Sequence, residues 1–549
     1  MAEAARSQTR PAGHLRREVG PVALLFTSLG SIIGSGWLFG ALYAANETGP
    51  AAIFAWIIAG VFIIILALNY AEIATMHPIS GGIARYPHFS YGTVTSALWG
   101  WLNWLGAVAI APIEVLAVLQ YSSNYLEGLT RSPGGTVVLL TPLGYVVATI
   151  LMALFVAINL LGVKKFAQTN TPVVWFKIIV PTLTALTFLI VAFHGSNFTS
   201  AGFAPTGLKG ILVAISAAGV FFAMFGFDQA AQLGGESRNP SRNVPLAVIG
   251  SALIGTAIYI LLQISFIGAI PPSDLSKGWD QLTFAGAAGP YAGLASIVGL
   301  SWLAGLLYVD AGLSPGGTGL VYAATSARVS YGLARNGYVP RALAWIDRRG
   351  IPVWSFILTF VAGMLVFLPF PAWQRLATFI TSAYALVYAI GPLVVRALRT
   401  QDPERERPYR LPGANILAPA GFMAATFIVY FAGWLTNYRV FLAVAAGVVV
   451  MGLNYAFSRG EDRPPLDWKA SLWVWPYLGG LALLSYLGSF DGQGVIPFGW
   501  DLLVVAVFSL AIFAFAQKCA LAPEHAREYI EKVREEEAIE AREVQIAEG

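Results

Sequence analysis

Gly30-Ser31-Ile32-Ile33-Gly34-Ser35-Gly36 lies in the middle of an apolar stretch that covers residues 19–46. Three glycines and two serines in seven residues make a poor helix interior, because each glycine costs roughly 1 kcal/mol relative to alanine. In lipid, irregular backbone is tolerated only where it faces protein or a wet cavity. Unwinding at this point frees N–H groups at the start of a second half-helix. Together with the helix dipole they form a place for a carboxylate. Taken alone, the glycines fit equally well with two helices packing closely through small residues.

A second stretch bears on that choice. Phe222-Ala223-Met224-Phe225-Gly226-Phe227-Asp228 puts a glycine and a carboxylate inside an aromatic run. Carbonyls freed at such a break attract an ammonium group. Interrupted segments at matching places in two halves of a chain point to a binding site near the membrane midplane. The aromatic side chains themselves, Phe221, Phe222, Phe225 and Phe227, also fit a lipid-facing or core role.

The composition places both stretches in a membrane. Of 549 residues, 57% are hydrophobic and only 11% charged, where a soluble domain carries about 25%. That is too little charge to coat a water-facing surface. A spanning helix needs about 20 mostly apolar residues. Fourteen candidate spans follow, at 19–46, 50–76, 97–127, 142–162, 170–193, 209–236, 244–269, 291–336, 353–371, 373–400, 416–435, 438–457, 470–488 and 499–518. With the N-terminus inside, 27 of the 33 Lys and Arg fall on the inner side, five on the outer side, and Lys177 within a span. That bias is the positive-inside rule. It predicts a multi-pass protein of the cell (inner or plasma) membrane with both termini cytosolic. The basic, polar segment Met1–Glu18 has no apolar core and is not expected to be a cleavable signal. The tail from Pro523 to Gly549 is rich in Glu and Arg and predicts a solvated helix. The single Cys519 excludes an intramolecular disulfide.

Several motifs resemble the amino acid–polyamine–organocation permeases. Gly30 to Phe39 resembles that family's unwound first-span segment. Tyr70-Ala71-Glu72 through Pro78-Ile79-Ser80-Gly81-Gly82 resembles its signature at the end of span two. The sixth-span run into Gly235-Glu236-Ser237-Arg238-Asn239-Pro240 and Asn243-Val244-Pro245 resembles a third signature, and Ala327-Arg328 with Ala334-Arg335-Asn336-Gly337 a fourth. A narrower resemblance, to the bacterial aspartate–proton symporters within that family, rests on five further segments. They are Gly34 to Phe39, Gly82 to Pro87, Ile113-Glu114-Val115, Phe266 to Pro271, and Asp310 to Gly317.

The resemblance implies an all-α LeuT-type fold: an inverted repeat of two five-helix halves, at 19–193 and 209–400. Helices 1 and 6 are broken, four further helices follow over 416–518, and charged cytosolic ends cover 1–18 and 522–549. It also implies proton-driven uptake of an acidic amino acid such as aspartate. By position, the backbone of Ser35 and Gly36, with Ile33 and Gly34 beside it, matches the cradle for the substrate carboxylate. Ile32, Phe222 and Phe225 match the carbonyls that hold the α-ammonium, next to the break at Gly226, and Phe222 matches a bulky residue that closes over the substrate.

Ionisable groups inside spans are expensive and are functional candidates by default. Lys177 matches a lysine that, in sodium-independent members, stands in the place of a second sodium ion; the alternative role is a fixed cation bonded to first-span carbonyls. Glu114, Asp228 and Asp310 are candidates to pair with Lys177 or to carry the proton, or else structural carboxyls. Glu72 and Glu236, near the inner face, are expected to pair with loop arginines such as Arg328 and Arg335.

No G-x-x-x-x-G-K-[ST] pattern occurs, so ATP-driven transport has no support. His14, His77, His88, His194 and His525 are scattered, without metal-ligand spacing. The chain is read as no enzyme, needing no cofactor or metal and binding no nucleic acid; its partners are an amino acid, a proton and the bilayer. An amino acid exchanger of the same fold and a transporter-like membrane sensor are the alternatives.

Overall fold

The computed structural model describes residues 19–79, 82–132, 138–161, 164–234, 237–347, 351–458, 465–533 and 535. Its elements are almost all helices. The first of them stops early: α1 is Pro21–Ile32 and α2 is Gly36–Thr48. Then come α3 (Ala52–Met76), α4 (Gly82–Ser122), α5 (Pro142–Leu161) and α6 (Lys164–Val191). A two-stranded antiparallel ribbon, Thr130–Arg131 with Leu139–Leu140, precedes α5. The next stretch is fragmented into α7 (Gly207–Ala217), α8 (Val220–Ala223) and α9 (Gln229–Gln232). It leads into α10 (Pro240–Ala269), α11 (Pro290–Ile297), α12 (Ser301–Arg335), α13 (Val353–Val366) and α14 (Trp373–Gln401). The chain continues with α15 (Ala414–Phe431), α16 (Trp434–Phe457), α17 (Val474–Leu487) and α18 (Trp500–Cys519). A further helix covers 523–533.

Nine helical stretches among the described residues are long and apolar enough to cross a membrane. Their outward faces carry side chains that water would not tolerate together. Ile190 on α6 is 82% exposed, Phe457 on α16 83% and Val507 on α18 59%. An apolar girdle of this kind is stable when hydrocarbon is the solvent. The inner helices are the reverse. The most apolar part of α14 is wholly buried, with α4 and α15 packed along it, and α12 lies along α4. α10 packs on α1 and α3.

Two local departures from the expected spans have physical causes. The stretch expected as one long span over 291–336 is split into α11 and α12. The chain turns at Gly299, whose φ of +79° lies in the left-handed region. The third span is expected at 97–127, yet α4 begins at Gly82 and bends at Gly92 (φ 68°, ψ −163°). The aromatic run takes the inward of the two courses open to it, since Phe221, Phe222, Phe225 and Phe227 are all buried.

Glu72 pairs with arginines as expected, but with others than Arg328 and Arg335. Its carboxylate is fully buried and is met by Arg399, which donates from Nε at 3.0 Å and from Nη2 at 2.6 Å. The Leu411 amide donates at 2.7 Å and Arg407 Nε lies at 3.4 Å. The expected partners Arg328 and Arg335 do not fill this role. The end of α3 packs against α14, and the loop after α14 folds back over it, so nearby arginines reach Glu72 first. Glu236, and likewise residues 1–18, 348–350 and 536–549, lie outside the described residues. Removing one partner of a buried pair strands the other charge, at roughly 3–5 kcal/mol. Glu72→Ala is therefore expected to lower Tm in detergent by several degrees, whereas Glu72→Gln, which still accepts hydrogen bonds, loses less.

Candidate functional site

The two breaks face each other. α1 ends at Ile32, Ile33 takes φ −90° and ψ 82°, and α2 starts again at Gly36. Opposite, α7 ends at Ala217 and α8 lasts one turn. Gly226 then takes φ +120°, a backbone state closed to side-chain-bearing residues, and a Cβ there would lie 2.8 Å from the Ile32 nitrogen. α2 and α8 touch just as tightly, since a Cβ on Gly36 would sit 2.6 Å from Cα and Cβ of Ala223. Small residues are thus required where the two breaks meet.

Between them lies a narrow cavity with only about 10 Å³ open to a water-sized molecule, far below the ~300–1,000 Å³ of drug-sized sites, so its walls must part to admit a solute. Ile32, Gly34, Gly36, Phe222 and Phe225 line it, together with Glu114 from α4 and Thr318 and Tyr322 from α12. The start of α2 already accepts an anion. The Ser35 amide donates to Glu114 Oε2 at 2.9 Å, as expected where unpaired N–H groups and the helix dipole coincide. Thr318 Oγ1 and Glu114 Oε1 both border Gly34: a Cβ on that glycine would lie 3.2 Å and 2.8 Å from them.

Lys177 does not line the cavity. It reaches it through shared partners, donating to the Gly30 carbonyl at 2.6 Å and to Thr318 Oγ1 at 2.8 Å. It is 3% exposed. One ammonium thus holds both the last turn of α1 and the hydroxyl that flanks Gly34. Asp310 sits by α2, where it accepts from Trp37 Nε1 at 3.1 Å and Ser314 Oγ at 2.7 Å. Asp228 is apart from both. It accepts from Tyr388 OH at 2.7 Å and Gln232 at 2.6 Å, a set of neutral donors that holds the second break to α14.

The remaining residues singled out by sequence have structural contacts of their own. Ile33 is buried and Gly226 packs on Ser31 and Ile32 outside the cavity wall. The Ile32 carbonyl accepts from Tyr259 OH at 2.8 Å and from the Gly34 amide at 3.2 Å. Ser28 joins the two broken stretches, since its hydroxyl donates to the Phe227 carbonyl at 3.1 Å and accepts from the Ala230 amide at 3.0 Å.

Sequence reasoning missed Thr318, Tyr259 and Trp373. The Trp373 indole donates to Ser35 Oγ at 2.9 Å. It stacks on Tyr43 at 5.6 Å and meets Phe222 edge-on at 5.6 Å. It therefore ties α14 to α2 and α8 on the Tyr43 side of the cavity. Thr318 carried a signal, as a hydroxyl amid Gly316, Gly317 and Gly319 within an apolar span. The tyrosine and the tryptophan are common residues in ordinary settings and carried none.

Two broken helices around a small cavity, with ionisable groups buried beside it, define a membrane transporter for a small solute. The family model described as amino acid permease matches residues 19–453, and the chain belongs to that family. It is 37% identical to the glutamate/serine transporter AimA of Bacillus subtilis (strain 168) over 527 residues, which cover 94% of this chain and 96% of that protein. It is 35% identical to the aspartate-proton symporter of the same organism over 523 residues, covering 94% and 99%. A more distant relative is that organism's branched-chain amino acid permease BcaP, 26% identical over 465 residues that cover 82% and 94%.

Proposed function

We propose that the chain takes up a small acidic amino acid, such as aspartate or glutamate, together with a proton. The observation that carries this reading is the carboxylate of Glu114 at the start of α2, held by the Ser35 amide. That helix end is where a substrate carboxylate would be received. The two anions compete for one set of N–H donors. Protonation of Glu114 removes the charge that keeps it there, so proton uptake and release of the cradle are the same event. The substrate ammonium then faces the broken ends of α1 and of the 217–229 stretch, with Phe222 and Phe225 as walls. A second carboxylate finds hydroxyl donors at Thr318 and Tyr322. Lys177 senses the exchange through Thr318 and passes it to α1 through Gly30. The names of the relatives, a glutamate/serine transporter and an aspartate-proton symporter, support the same cargo and coupling.

This reading carries an architecture. The chain crosses the cell membrane fourteen times, with inverted five-helix repeats at 19–193 and 209–400, four added helices and both ends in the cytosol. The nine long apolar stretches are then completed by the short helices at Pro21–Ile32, Gly207–Ala217, Val353–Val366 and Val474–Leu487 and by α12.

The test is uptake of labelled aspartate, glutamate and serine by purified protein in proteoliposomes. With the interior alkaline, aspartate or glutamate is expected to accumulate, and a protonophore abolishes the accumulation. Uptake that ignores the gradient and requires amino acid inside the vesicles would replace symport with exchange.

A further inference from the structure

The C-terminal helix over 523–533 is not simply solvated. Ala526, Ile530 and Val533 are buried, and its approach is fixed by hydrogen bonds. The Leu521 amide donates to the Ser90 carbonyl at 2.9 Å. Gln401, the last residue of α14, donates to the Ser90 and Leu521 carbonyls at 3.3 and 2.8 Å. Arg527 Nε donates to the Gln401 carbonyl at 3.3 Å. The tail therefore joins the end of α14 to residues 82–91, the first part of α4.

That first part is separated from the rest of α4 by Gly92, whose positive φ breaks the helix at this point. The tail grips both sides of it. On one side, the Tyr529 ring lies 4.3 Å from that of His88. On the other, Tyr529 OH donates to Asp467 Oδ2 at 3.1 Å, and the same oxygen accepts from the Thr93 amide at 2.9 Å, capping the resumed helix. A side chain at position 92 would collide with Asp467. The resumed helix is the one that carries Glu114.

We infer that the 523–533 helix is a built-in clasp that holds residues 82–91, the end of α14 and the Asp467 loop together and so keeps the inner side of the protein closed. This rests on the transporter reading and its orientation. In this reading the elements joined by the tail move apart when the inner side opens, and a contact made in the closed state alone shifts the balance toward that state. Undocking the helix raises the share of molecules open to the inside.

The experiment replaces Cys519 by serine, introduces Ala231→Cys in α9, where residue 231 is buried, and measures labelling by a maleimide admitted to the inner face only. Ile530→Asp places a charge in the buried face of the tail, and truncation after Ala522 removes it. Both are expected to label on the order of tenfold faster than the parent. Tyr529→Phe keeps the ring contact, loses the Asp467 bond and falls between. Labelling at the parent rate in the truncated protein, eluting as a single species, overturns the clasp. Labelling needs no substrate, so the two readings fail separately. Faster labelling without amino acid uptake removes the transport reading, and intact uptake with unchanged labelling removes the clasp.

Discussion

Lys177→Ala is expected to abolish proton-driven accumulation, lowering gradient-dependent uptake at least 100-fold, about 2.7 kcal/mol at 1.36 kcal/mol per decade. The lysine has two neutral partners on two different elements, the Gly30 carbonyl and the Thr318 hydroxyl. Truncation leaves both without a donor in a place water does not reach. It also removes the single cation within the spans that sequence reading assigned. Binding is expected to survive better than transport, because Lys177 does not line the cavity and the α2 start is intact. Thermal shift with aspartate measures the first, and uptake with the interior alkaline the second. Lys177→Arg separates charge from proton exchange: guanidinium keeps the charge but does not give up a proton, so accumulation is expected to stay lost. Full accumulation by the alanine variant would end the coupling role.

Gly36→Val is expected to weaken amino acid binding more than 100-fold, again about 2.7 kcal/mol. The cause is not the crowding of a carboxylate alone. A Cβ at position 36 meets backbone and side chain of Ala223 at 2.6 Å, and neither helix can yield without opening the cavity wall. Gly36→Ala already meets this contact and is expected to lose binding in part. Affinity is measured by calorimetry, with the detergent Tm recorded alongside. A variant of parental stability and unchanged affinity would place the substrate elsewhere.

What the residues disclosed in advance was what local composition encodes. Gly30 to Gly36 and the run through Gly226 are helix-breaking by content, so their breaks were legible without neighbours. Lys177 and Glu114 stood out because charge in an apolar span is rare. The partners did not stand out. Glu72 takes Arg399 and Arg407 rather than Arg328 and Arg335 because the loop after α14 folds back, which no spacing reveals. The bend at Gly92 depends on Asp467, 375 positions away along the chain. Trp373 is an ordinary tryptophan until the fold brings its N–H to Ser35.

Ser28 gives and receives a hydrogen bond through one oxygen, with Phe227 and Ala230 as its partners. The lower parts of both interrupted helices are thereby riveted at a common point. Whichever way the substrate leaves, these two parts swing as one shutter or the rivet shears. A single hydroxyl decides whether the door has one leaf or two.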